Sequence, residues 1–137
     1  MAQINISRQP DYSDLDLDFK INPITGDINK KKGVDAVKRS IRNLIFTNFY
    51  ERPFKSELGS GVTALLFENV DVITASEIKD AILILINTYE RRVQLTDVRV
   101  YADIDNHGFN IQMDYIILNT QTPATFNLFL EFDRTNV

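Results

Sequence analysis

Ala81-Ile82-Leu83-Ile84-Leu85-Ile86 is the stretch on which the fold turns. A run of large aliphatics makes a strand as readily as a buried helix, because periodicity alone does not separate the two. The flanks decide for helix. Thr74-Ala75-Ser76-Glu77 matches the capping box, in which the Thr and Glu side chains each satisfy an orphan backbone N–H. The segment from Thr74 to about Tyr89 is also long for a strand. Apolar nearly all round, it is expected to be the central buried helix.

Downstream the period changes to two. Val98, Val100 and Ala102 share one face of a first strand, and Asp105-Asn106-His107-Gly108 forms a turn. Phe109, Ile111, Met113, Tyr115 and Ile117 face one way in the second strand, against Asn110, Gln112 and Asp114. A turn over residues 119–123 leads to a third strand, anchored by Phe126, Leu128, Leu130 and Phe132, with Thr125, Asn127, Phe129 and Glu131 outward. An antiparallel meander with one dry face needs a cover, and helices supply it. The fold class is α+β: two layers, a three-stranded antiparallel meander packed against two main helices, with an N-terminal hairpin.

Upstream, residues 47–72 carry a charged pair before Pro53, the turn Gly59-Ser60-Gly61 and an apolar burst. That is a packed connection rather than a linker. Its residues 62–67 read as one or two helical turns, placing Leu65, Leu66 and Phe67 against the core. Before it, Val34, Val37, Ile41, Leu44 and Ile45 mark an amphipathic helix of about 13 residues. Leu15, Leu17, Phe19 and Ile21 alternate with charged residues as a half-buried strand, and a turn cluster over 22–27 sends the chain back from Ile28. Residues 1–14 are unpatterned and read as a loose arm, and 15–137 as a single domain.

Composition narrows the chemistry. The chain has 137 residues, 44% hydrophobic and 25% charged, which is ordinary for a globular protein. With no cysteine, disulfides, thiol nucleophiles and thiolate metal sites are excluded. No apolar run reaches the ~20 residues of a membrane span, and no signal-peptide pattern opens the chain. The one histidine, His107, sits in a hairpin turn, where solvated residues outnumber catalysts. Neither a nucleophile elbow nor a phosphate loop occurs, and no carboxylate pair stands above the background of caps and ion pairs. No cofactor, metal or small-molecule substrate is implied.

Charge is uneven. The net charge is −4, yet residues 30–55 hold eight basic groups against Asp35 and Glu51. That excess reads either as a solvated face or as a docking surface for an acidic partner. Nucleic acid fits less well, since no aromatics interleave with Lys30-Lys31-Lys32. Tyr89-Glu90-Arg91-Arg92-Val93, where the long helix hands over to the meander, is equally open. It reads as helix-end electrostatics or as a charged knob for a partner.

The order of these segments resembles a known family. Residues 33–44, then Glu51-Arg52-Pro53-Phe54, Gly59-Ser60-Gly61-Val62, Leu65-Leu66-Phe67-Glu68, Thr74-Ala75 and Tyr89-Glu90-Arg91-Arg92-Val93 follow in the order of the small baseplate wedge subunits of contractile bacteriophage tails. Relatives of that family serve type VI secretion baseplates. The resemblance runs from residue 15 to about 132. It departs from the family at Arg91 and Ser56, both of which stand where the family has proline.

The resemblance implies a structural subunit of the virion's tail baseplate, assembled in the host cytoplasm, with other wedge subunits and the tail sheath protein as partners. It implies that the Glu90, Arg91 and Arg92 element, with Arg52 and Phe54, seats the subunit on the wedge core. It further implies that the small sheet templates the first sheath ring, for which the last strand, through Asn127 and Phe129, is the candidate edge. A murein-degrading, lysozyme-like activity is the alternative, since some members carry that label. It needs a carboxylate pair that the sequence does not display.

Overall fold

The computed structural model describes residues 12–15, 21, 23–27 and 30–131. Along the chain run β1 (Ser13–Leu15), β2 (Lys30–Lys32), α1 (Val34–Phe46), α2 (Val62–Leu65), α3 (Val72–Tyr89), β3 (Val93–Asp103), β4 (Gly108–Ile117) and β5 (Thr122–Glu131). The meander has the order β3-β4-β5, antiparallel throughout, and β1 pairs with β2 in a separate two-stranded sheet. Among the described residues no helix is long and apolar enough to cross a membrane.

The core lies between the sheet and the helices. Val37, Ile41 and Ile45 of α1, Ile78, Ile82 and Ile86 of α3, and the alternate β4 residues Phe109 to Ile117 are all buried. Each such side chain contributes about 1.5 to 3 kcal/mol relative to exposure. On β3 the inward set changes phase. Val93 and Leu95 face the core, then a register shift between Leu95 and Asp97 passes the role to Val98, Val100 and Ala102. A bulge adds one unpaired residue, which turns odd positions inward before it and even positions after it.

Several expectations are corrected. The long helix starts at Val72, and its cap is Asp71, whose Oδ1 accepts the Thr74 N–H at 2.8 Å. Thr74 is itself buried in the first turn, so it cannot serve as the cap. That hydrogen bond, ahead of the opposing effect of desolvation, holds the Asp71 carboxyl below its usual pKa. Nor is α3 buried all round: Val72, Ile73 and Ile84 are exposed, because only one side of the helix meets the sheet and α1. In the connection Leu65 and Leu66 pack on the core, but Phe67 is exposed, since α2 ends after one turn.

At the N-terminal side, Ser13 and Asp14 belong to β1 rather than to an arm, and the return strand is the Lys30–Lys32 trio. Leu15 and Ile21, read as one apolar face, are both exposed. Leu17, Phe19, Ile28 and Phe132 lie outside the described residues.

The connection is tied down as its composition suggests. Ser60 Oγ donates to the Ile45 carbonyl at 2.6 Å, and its N–H to Thr47 O at 2.8 Å. Tyr89 Oη donates to Glu57 O at 2.8 Å, fastening the loop to the end of α3. Gly59 is required by close approach: a Cβ there would sit 2.6 Å from the backbone carbon of Asn48. Gly59→Ala therefore forces two backbones apart and is expected to destabilise by about 1 to 3 kcal/mol in urea unfolding. Gly61→Ala, where a Cβ would meet only the Phe49 ring at 3.9 Å, is expected to be far milder.

Candidate functional site

The helix-to-strand junction is an internal ion pair. α3 ends at Tyr89, and Glu90 leaves helical geometry at φ −107°, ψ 82°. Arg91 and Arg92 then form a turn before β3 opens at Val93, and the Arg92 side chain comes back against Glu90. Glu90 is only 4% exposed, whereas Arg91 lies at the surface. Arg92 Nε and Nη2 donate to the two Glu90 carboxylate oxygens at 2.6 and 2.8 Å. Ser40 Oγ of α1 donates to Glu90 Oε2 at 2.6 Å. Arg92 Nη1 reaches Asp14 Oδ2 of β1 at 3.2 Å, with its guanidinium 5.5 Å from the Tyr12 ring centroid. One guanidinium thus joins the α3 end, the β3 start and the hairpin, and its carboxylate partner adds α1.

Electrostatics follow from this geometry. Burial raises the Glu90 pKa, but the Arg92 and Ser40 hydrogen bonds and the charge of Arg92 outweigh it, and the net shift is downward from 4.5. Arg92 is held protonated, chiefly by its hydrogen bond to Glu90. Burial, with the charges of Asp35 and Glu90, pushes the Tyr115 hydroxyl up to about 12. Glu90 and Arg92 are accordingly not the exposed, energetically neutral charges that their place at a helix end suggests. Ser40 and Asp14 lie 50 and 78 residues from their partners, so no local pattern links them.

Arg52 comes close to this junction and Phe54 does not. Arg52, Arg39, Ser40, Asn43, Leu44, Asp14 and Leu15 line a groove of about 290 Å³ between β1 and α1. Its wall includes the serine that binds Glu90. Phe54 is 99% exposed on the loop.

Asn127 and Phe129 lie elsewhere, on β5, an edge strand of the meander. The backbone phase is set by Leu118, whose N–H donates to Arg92 O, across towards β3. Even-numbered β4 residues therefore address β3, odd ones address β5, and their β5 partners are the even residues 122–130. The odd positions Thr125, Asn127, Phe129 and Glu131 turn their N–H groups to the edge that no described strand pairs. Pro123, which has no N–H to give, occupies one of these outward positions, as edge strands allow. The Phe129 ring lies over Gly108, where a Cβ would sit 2.6 Å from its Cζ, so this half-exposed aromatic is held in place. With Tyr101, Asn110 and Gln112 it borders a shallow groove on the outer face of the sheet.

Hydrolytic chemistry finds little here. His107 is exposed in its turn at φ 52°. Among the described residues no group of three or more His, Asp or Glu side chains is placed to hold a metal ion.

Comparison with known proteins agrees with the segment order. Residues 31–122 match the family described as baseplate wedge protein gp25. The chain is 27% identical over 108 residues to the baseplate wedge protein gp25 of Enterobacteria phage T4, covering 79% of this chain and 81% of that one. The fold is shared with a Geobacter sulfurreducens protein assigned provisionally as a tail lysozyme, at TM-score 0.66 and 19% identity over 74% of this chain and 92% of that one. It is shared with a chain of the anti-feeding prophage baseplate, at TM-score 0.62 and 21% identity over 92% and 90%. It also resembles a chain of the pyocin R2 baseplate, at TM-score 0.51 and 17% identity over 83% and 98%.

Arg92→Ala strands a buried carboxylate and is expected to destabilise by about 3 kcal/mol, the low end for broken buried pairs because Arg92 keeps some exposure. Arg91→Ala is expected to stay within about 0.5 kcal/mol in the same urea titrations. Glu90's pKa is lower folded than unfolded, so its contribution is full above about pH 4.5 and fades as pH falls through the lowered value. The stability gap between the wild type and Glu90→Gln is therefore expected to close in acid.

Proposed function

Because the chain belongs to the baseplate wedge protein gp25 family, we propose that it works as a two-sided adaptor, seated on neighbouring wedge subunits by one face and offering a strand edge to the tail sheath by another. Membership makes it a structural, non-enzymatic component of a contractile tail baseplate. The lysozyme label belongs to a protein 19% identical to this one, a likeness that extends to the fold alone.

The sheath-facing role rests on the outer β5 edge, which no strand pairs among the described residues. An uncovered edge strand presents a row of unpaired N–H and C=O groups, and β-augmentation converts that liability into a binding mode. Asn127 and Phe129 present outward N–H groups, while Phe126 and Leu130 are buried in the core and brace the strand. An incoming sheath strand takes its affinity from the backbone and its register from the outer side chains, with Phe129 already fixed over Gly108.

The wedge-facing role rests on the groove between β1 and α1. Arg39 and Arg52 line it, and the Glu90–Arg92 pair holds its wall through Ser40. Here Glu90 and Arg92 act as positioning residues, and Arg52 and Arg91 are the cations left towards an acidic partner. Phe54, fully exposed on the loop, is a further anchor for the same neighbour.

The edge is tested by proline. Asn127→Pro removes an outward N–H and leaves the β4–β5 bonds in place, so the chain is expected to fold and enter baseplates that stay sheathless in electron micrographs. Asn127→Ala is expected to sheath normally. Full sheaths on both Asn127→Pro and Phe129→Pro baseplates would place the receiving edge elsewhere.

A further inference from the structure

A third surface lies on the outer side of α3. Helical spacing puts Ile73, Glu77, Asp80, Ile84 and Thr88 along one exposed stripe. Ile73 and Ile84 are 72% and 69% exposed, so the stripe is apolar towards both ends. The C-terminal half of the stripe is the floor of a groove of about 390 Å³, completed by Phe49, Tyr89 and the small-residue wall of Gly59, Ser60 and Gly61. This wall is built, not draped. Ser60 is bonded to Ile45 and Thr47, Tyr89 to Glu57, and Gly59 passes against the Asn48 backbone.

We propose that this groove receives an amphipathic helix with basic flanks from another protein. Three observations choose that occupant. A groove lying along a helix, floored by Ala81 and Ile84 and walled by glycines, lets a second helix approach closely with its side chains interdigitated. The stripe from Ile73 to Thr88 extends about 22 Å, the length of four helical turns. Its exposed charges, Glu77 and Asp80, are both carboxylates, and neither has a cation on its own stripe. Lys or Arg beside the apolar face of the incoming helix complements them, whereas acidic flanks meet like charge. That the donor is a baseplate subunit rests on the family reading; the chemistry of the groove does not.

The test uses the purified full chain and two fluorescein-labelled peptides of about 18 residues, both with leucines at helical spacing. One carries lysines beside the leucines and the other glutamates. The lysine peptide is expected to bind about tenfold or more tightly than the glutamate peptide by anisotropy at physiological salt. Ile84→Glu, at an exposed position that leaves the thermal melt unchanged, is expected to weaken binding by about tenfold. Glu77→Lys with Asp80→Lys is expected to reverse the preference between peptides. The Asn127→Pro chain is expected to bind as the wild type does, which separates this groove from the sheath edge. Equal binding of both peptides, or an unchanged affinity in Ile84→Glu, overturns the proposal. So does a wild-type dimer in sedimentation that Ile84→Glu dissociates, since the groove then belongs to a second copy.

Discussion

A carboxylate buried at the C-terminal end of a helix is in the wrong place by two counts. It is removed from water, and it faces the negative end of the helix dipole. Glu90 is held there because Arg92 supplies a two-pronged cation from two residues further on, and Ser40 adds a hydroxyl from α1. Everything around the pair inherits its geometry. The direction in which α3 hands over to β3, the seating of α1 through Ser40 and the attachment of β1 through Asp14 all converge on this one ion pair. Such pairs are poor sources of net stability but severe when half removed. Their more useful property is that few alternative packings satisfy them.

The parts of the fold legible in the sequence are those that local pattern determines. The strand from Phe109 to Ile117 alternates without a break and buries every second residue, and α1 spans the 13 residues its apolar spacing marks. Where two local signals compete, pattern misleads. Thr74 with Glu77 satisfies the capping box, yet Asp71 caps the helix one turn earlier, and nothing in either motif ranks them. The exposure of Ile73 and Ile84 is invisible to periodicity, because a run of aliphatics does not announce which side lacks a partner. The bulge after Leu95 is equally silent, and it flips the inward phase of β3.

The candidate contacts were less legible than the fold, for a reason of distance. Glu90 and Arg92 stood out as a pair by chain order, but their burial depends on residues that only tertiary structure brings near. A charge beside a helix end is most often solvated, so reading this one as exposed followed the usual case. Arg52 and Phe54, neighbours in one loop, part company: one lines the groove beside α1 while the other projects free.

The turn at residues 91 and 92 also bears on Arg91, which stands where the resemblance to the wedge family implies a proline. Arg91 is exposed and takes no part in the Glu90–Arg92 contact, so exchanging its side chain leaves the ion pair untouched. What proline would add is a fixed φ, restricting the path by which Glu90 enters the turn. In this chain that restriction is absent, and the alignment of Glu90 with Arg92 is left to the bidentate contact and to Ser40. The bond from the Leu118 N–H to Arg92 O then anchors the far side of the junction to β4. Arg91 meanwhile places a cation at the surface. The substitution thus exchanges backbone stiffness for positive charge at the same junction, leaving hydrogen bonds rather than a ring to hold its shape.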